Sequence, residues 1–270
     1  MSATTITTRP DARLSAPGIV RSEWIKLRSV RSTVWSYAIV VAASIGIAAL
    51  LASTFGFGEQ IPPAELHNGI IVQAATFGLY IGQLVVAVLG VLVISGEYST
   101  GMIRSTLTAV PTRLPALAAK AVVLFVSTFV VGLVSVFGAL LLALPILAGY
   151  GIEADFGDGA LLGNLVLAAL YLGLVSLFAL GLGTILRSSA GGIAATLGVI
   201  LLLPTIISAV IGITQAQWAM DISPYMFATA GTGIFSPGGP LSQGENLLVV
   251  LAWVAVSLVG GALLLKRRDA

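Results

Sequence analysis

Cysteine is absent from the 270-residue sequence, histidine occurs once, at His67, and charged residues make up only 9% of the chain. Without cysteine there are no disulfides, thiolate nucleophiles or Cys-based metal sites. His67 has no second histidine or carboxylate pattern at metal-ligand spacing, so it reads as an ordinary loop residue and no metal site is expected. No G-x-S-x-G elbow or H-E-x-x-H helix occurs, and none of Lys26, Lys120 and Lys266 follows a glycine. The chain therefore has no P-loop lysine, and neither catalytic residues nor a bound cofactor are expected. A net charge of +2 is no polyanion-binding patch, which argues against nucleic acid as a partner.

What is abundant is apolar: 57% of residues are hydrophobic and the mean hydropathy is +1.05. A soluble domain carries roughly a quarter of its residues as charges, so this composition belongs in a bilayer. Six apolar runs reach the 20 or so residues that a helix needs to cross, at 34–54, 69–95, 117–149, 161–186, 190–213 and 246–265. The expected fold is an all-α integral membrane protein with six transmembrane helices, because a span must satisfy its own backbone and no barrel-like alternation is present. The third run exceeds one crossing and implies tilt or an extension beyond the bilayer. The first run follows a basic tail without a cleavage signature and reads as a retained span.

Charge placement supports this count. All 13 basic residues fall on one side of an alternating six-span layout: the N-terminal tail, the second loop, the fourth loop and the C-terminus. The opposite side carries only acids, among them Glu59, Glu65, Glu153, Asp155, Asp158, Asp221 and Glu245. The positive-inside rule then places both termini in the cytoplasm of a multi-pass plasma-membrane protein. Arginine outnumbers lysine by 10 to 3 beside abundant Ala, Gly, Leu and Val, which fits a GC-rich bacterial source. The division is a cytoplasmic tail and amphipathic helix at 1–33, a transmembrane domain at 34–265 and a cytoplasmic tail at 266–270. Within the domain lie a cytoplasmic loop at 96–116 and an external, re-entrant-like segment at 214–245, broken by Pro224, Pro237 and Pro240.

The membrane-embedded part reads as free of ionisable side chains, which removes the usual proton carriers. Its mild polarity includes Gln73, Tyr80, Gln83, Ser135 and Tyr171, expected to bond between helices or to line a substrate path. Gly181, Gly183, Gly191 and Gly192 read as close helix packing.

Two cytoplasmic stretches stand out. In "VRSEWIKLRSVRSTVW", Val20, Trp24, Leu27, Val30 and Val34 share one helical arc, and Ser22, Lys26, Ser29 and Thr33 lie opposite. Arg28 and Arg31 flank the arc and can snorkel to lipid phosphates, so this is an amphipathic helix at the lipid bilayer surface, leading into the first span. In "GEYSTGMIRSTLTAVPTRLPALAAK", Met102 to Ala109 can form a short coupling helix between spans 2 and 3, bounded by Pro111 and Pro115. A simple turn needs about four residues, so a segment of this length reads as a docking element.

The second stretch resembles the loop between the second and third spans of ABC-2 type permeases. The resemblance rests on Glu97-Tyr98, Gly101-Met102-Ile103-Arg104, Pro111, Arg113 and Lys120. "SEWIKLRS" is similar to the same family's pre-span helix. The resemblance implies a permease subunit of an ATP-driven exporter, two permeases pairing with two copies of a separate ATP-binding subunit that carries ATP and Mg. It further implies that Glu97, Tyr98, Gly101, Ile103, Arg104, Leu107, Pro111 and Arg113 form the ATPase-coupling loop, with Ile103 and Leu107 as apolar docking knobs. Glu97 and Arg104 would contact the ATPase or lock the loop to the pre-span helix. Trp24, Lys26, Leu27, Arg28 and Arg31 make up that interfacial helix. The other readings open to the sequence are an ATPase-independent carrier or channel and a non-transporting scaffold or immunity protein.

Overall fold

The structure is a computed structural model and describes residues 15–54, 61–102 and 113–267. The described residues are helical without strands, and six helices are long and apolar enough to cross a membrane. These spans run Arg31–Thr54, Ala64–Ser99, Leu114–Ala148, Gly159–Leu186, Ser189–Thr214 and Gln243–Arg267, within a few residues of the runs read from the sequence. A pre-span helix, Ala16–Ser29, precedes them.

Local chemistry sets the helix ends. The Ser15 hydroxyl accepts from the Gly18 N–H at the start of the pre-span helix, Pro17 fills a position that needs no N–H partner, and Lys26 and Arg28 meet the negative end of the dipole. Val30 is extended and turns the chain into span 1. Asp158 caps span 4 at the Ala160 N–H, 2.9 Å away, and Ser188 caps span 5 at Gly191. Span 6 starts with a reciprocal box: the Glu245 carboxylate accepts from the Ser242 N–H at 2.8 Å, and the Ser242 hydroxyl accepts from the Glu245 N–H.

Span 4 is the hub. It packs on spans 2, 3 and 6, and its most apolar stretch is 72% buried. Spans 1, 5 and 6 bury far less of themselves and lie at the periphery. Gly181 meets Ser257 of span 6 and Gly183 meets Val91 of span 2, where small residues let backbones approach. Span 1 presents Val40, Ser44, Ala48 and Ala52 at four-residue intervals to spans 2 and 3.

Two spans are irregular. Span 2 consists of two helices, His67–Phe77 and Leu79–Ser99, meeting at Gly78. A Cβ at Gly78 would overlap the Ser44 Cα, so the break lies where spans 1 and 2 cross closest. Span 5 contains a π turn at Gly198–Leu202, closed by the Leu203 N–H on the Gly198 carbonyl. Pro204 follows directly; it has no N–H for the Ile200 carbonyl and its ring would crowd that group, so the wider turn relieves the clash. Span 3, at 35 residues, is about 52 Å long and must tilt or protrude.

After span 5 the chain turns back into the bundle. Helix Gln217–Ile222 and a 3₁₀ turn at Ser223–Tyr225 lead to the short helix Phe227–Gly233. Phe227 is fully buried and stacks on Phe178, ring centroids 4.4 Å apart, and Phe178 is nearer the far end of span 4 than its start. Gly231 lies against the Tyr171 ring with no room for a side chain, and the Trp253 indole N–H donates to the Tyr225 carbonyl at 3.0 Å.

Replacing Gly78 by valine should lower the thermal midpoint in detergent by several degrees, since a core overlap costs about 1–3 kcal/mol. Gly46→Ala, at a position with nothing within 4 Å, should leave the midpoint unchanged.

Candidate functional site

Charged side chains buried within the protein are found at the end of the bundle that carries both termini. Glu97 lies on span 2, just beyond its apolar run, and Lys120 on span 3, just inside its run; they are 3% and 4% exposed, so each helix turns a charge inward. Glu23 of the pre-span helix, 4% exposed, completes the group together with Lys26. The Lys120 Nζ donates to Glu23 Oε2 at 2.6 Å and to Glu97 Oε1 at 2.8 Å. The Lys26 Nζ donates to Glu23 Oε1 at 2.8 Å and to Glu97 Oε1 at 3.0 Å. Two carboxylates and two ammonium groups thus form a neutral quartet that joins the pre-span helix to spans 2 and 3.

Helical spacing produces this arrangement. Glu23, Lys26 and Leu27 lie on one face of the pre-span helix, three and four residues apart, and this face is turned to the bundle. Val20, Trp24 and Val30, from the expected apolar arc, are exposed, as are Arg28 and Arg31. The side facing the protein is therefore the one with the ion pairs; of the expected apolar arc, Leu27 joins it, and Val20, Trp24 and Val30 face outward. Burial works against the charge on Lys26, but its hydrogen bonds to Glu23 and Glu97, with their negative charge, outweigh it and hold its pKa above the usual lysine range. Such a raised value contributes stability that is complete at neutral pH and is lost only as pH rises through it.

A second set of contacts lies beside the quartet. Arg113, with a positive φ of 60° just before span 3, donates to the Leu265 carbonyl at 3.0 Å. Arg187, left-handed at the end of span 4, donates to the Leu264 carbonyl and lies 5.1 Å from the centre of the Tyr98 ring. Both arginines meet the negative end of span 6. Gly101 has φ of 72°, which favours glycine, and is exposed. Ile103, Arg104, Leu107 and Pro111 lie outside the described residues, as does the expected helix beyond Met102.

The polar residues of the spans separate into two groups. The Tyr171 hydroxyl donates to Gln83 Oε1 at 2.6 Å and both are buried, while the Ser135 hydroxyl donates back to the Val131 carbonyl. The first pair ties span 4 to span 2, while the Ser135 bond stays within span 3. Gln73 and Tyr80 face outward on span 2, with the Phe77 ring 5.3 Å from that of Tyr80. His67 joins two connections: its Nδ1 accepts from the Glu153 N–H at 3.2 Å, so its Nε2 donates to the Pro62 carbonyl at 3.0 Å. Among the described residues no cluster of His, Asp or Glu could hold a metal.

Glu23 was missed because an acid in a mostly basic tail reads as solvated. The available signal was its three-residue spacing from Lys26 together with a lysine just inside the third apolar run. Lys120→Met should cost about 3 kcal/mol by leaving two buried carboxylates to share one lysine. Lys120→Met combined with Glu97→Gln should recover a large part of that loss, measured as a double-mutant cycle on unfolding in detergent.

The geometry so far is that of a six-span helical membrane protein whose pre-span helix is ion-paired to both ends of the connection between spans 2 and 3. The family model described as ABC-2 family transporter protein matches residues 19–213, well over half of the chain. No curated protein matches it. The matched stretch starts in the pre-span helix and takes in the whole quartet and both arginines, and on this match the chain is a member of the ABC-2 family of transporter membrane proteins.

Proposed function

We propose that this chain is the membrane-spanning permease of an ATP-driven exporter, energised by a separate ATP-binding subunit that docks at residues 96–116. The observation that carries the reading is the quartet. It fixes the span-2 end and the span-3 start to one rigid pre-span helix, so force applied to the segment between Glu97 and Arg113 reaches three helices together. The lack of a P-loop lysine in the sequence supports ATP hydrolysis on another chain. Arg104, Ile103 and Leu107 supply the charge and the apolar knobs for that partner.

Two permeases and two ATP-binding subunits form the complex on this reading. Gln73 and Tyr80, facing outward at membrane depth, meet a second permease or the cargo between the two copies, because a glutamine facing lipid leaves its amide unsatisfied. The end with both termini is cytoplasmic, in a bacterial plasma membrane, following the distribution of basic residues.

The cysteine-free sequence allows a direct test of orientation. A cysteine at Arg28 should react with a membrane-impermeant maleimide only after cells are opened, and one at Ala216 should react in intact cells. For coupling, Arg104→Ala and Leu107→Asp should leave permease yield unchanged and reduce permease-stimulated ATP hydrolysis at least tenfold in liposomes containing the ATP-binding subunit. Full stimulation in both variants, or cargo flux from the permease alone under an ion gradient, would overturn the assignment.

A further inference from the structure

The ion pairs set the depth of the pre-span helix. Glu97 stands just beyond the apolar run of span 2 and Lys120 just inside that of span 3. The helix is bonded to both: Lys120 donates to Glu23 at 2.6 Å, and Lys26 donates to Glu97 at 3.0 Å. The level at which apolar runs give way to charge is the level of lipid headgroups. A helix held there has one side against protein and the opposite side against the membrane boundary.

With 3.6 residues per turn, Glu23, Lys26 and Leu27 occupy a sector about 100° wide, and Trp24, Arg28, Arg21 and Ile25 occupy an equal sector on the opposite side. Trp24 and Ile25 are 46% and 55% exposed, and the exposed Arg21 and Arg28 lie between them. One extended residue after the helix, Arg31 opens span 1, where Val34 and Trp35 are also exposed. Among the described residues no acid pairs with Arg21, Arg28 or Arg31; Glu23, the acid of the same helix, is turned away and engaged with two ammonium groups. Lys26, which the sequence groups with these residues, is withdrawn into the quartet.

Guanidinium groups set among exposed aromatic and aliphatic side chains fit a partner that offers phosphate beside hydrocarbon. A zwitterionic headgroup brings its own cation and leaves the three positive charges uncompensated, whereas an anionic one neutralises them. We propose that the outward face of the pre-span helix, with the first turn of span 1, is a binding surface for anionic phospholipid. Arg21, Arg28 and Arg31 hold headgroup phosphates, and Trp24, Ile25 and Trp35 enter the acyl boundary. The helix is thus clamped between membrane charge on one side and protein charge on the other.

Native mass spectrometry on the full-length, delipidated protein in detergent tests this without an ATP-binding subunit, so its outcome is independent of the transport reading. With dioleoyl phosphatidylglycerol and dioleoyl phosphatidylcholine as probes, the glycerol lipid should bind about tenfold tighter, the effect of one or two basic residues on an anionic head. Arg21→Gln, Arg28→Gln and Arg31→Gln combined should lower that ratio about fivefold and leave the thermal midpoint unchanged, because the quartet is untouched. Arg21→Lys, Arg28→Lys and Arg31→Lys combined should keep most of the ratio, since charge is the requirement. Equal binding of the two lipids by the unaltered chain, or a ratio unchanged in the glutamine variant, would overturn the proposal. A glutamine variant that keeps the ratio and loses co-purification with the ATP-binding subunit would assign the face to that protein instead.

Discussion

The neutral quartet of Glu23, Lys26, Glu97 and Lys120 is the constraint around which the terminus-bearing end of this protein is organised. Removing four charges from water is expensive, and their mutual attraction offsets the cost only when every partner is in place. The result is conditional geometry: the pre-span helix can dock in one register, because a rotation or a one-residue slip would leave a buried carboxylate facing no ammonium. Hydrophobic packing of Leu27 against Leu117 and Leu124 adds adhesion without that selectivity. In a protein whose other contacts are mostly non-directional, the ion pairs supply direction.

That direction matters because the connection between spans 2 and 3 starts and ends at the quartet. Glu97 precedes the segment and Lys120 follows it, so both ends are anchored to one another through charges. Arg113 adds a tie to span 6, and Arg187 ties span 4 to the same carbonyl end. Five of the six spans thus connect through polar contacts within a few residues of one loop: spans 2 and 3 by the quartet, spans 4 and 6 by the arginines, and span 1 through the pre-span helix that leads into it.

The spans themselves were legible from length and hydropathy alone, since a helix that crosses lipid must be long, apolar and self-satisfied. Pro115 at the opening of span 3 was equally visible, because its backbone restriction is a property of the residue itself. The break at Gly78 was not, because its cause is the Ser44 backbone crossing it from a span more than thirty residues away in sequence. The same applies to Gln83, Tyr171 and Ser135, grouped in sequence with Gln73 and Tyr80 by polarity and separated in space by the side of the helix they occupy. The quartet draws on three segments, so single-sequence reading singled out Lys26, Glu97 and Lys120 and allowed Glu97 to lock onto the pre-span helix, but missed Glu23 and the closed group.

The stacking of Phe227 on Phe178 has a further consequence. With that ring seated deep in the bundle, Gly231 against Tyr171 and Gln83 bonded to the same tyrosine, the middle of this protomer is solid. A solute crossing through a single copy would have to extract an aromatic ring and break a buried hydrogen bond at once. The chain is therefore packed here as a wall and not as a tube.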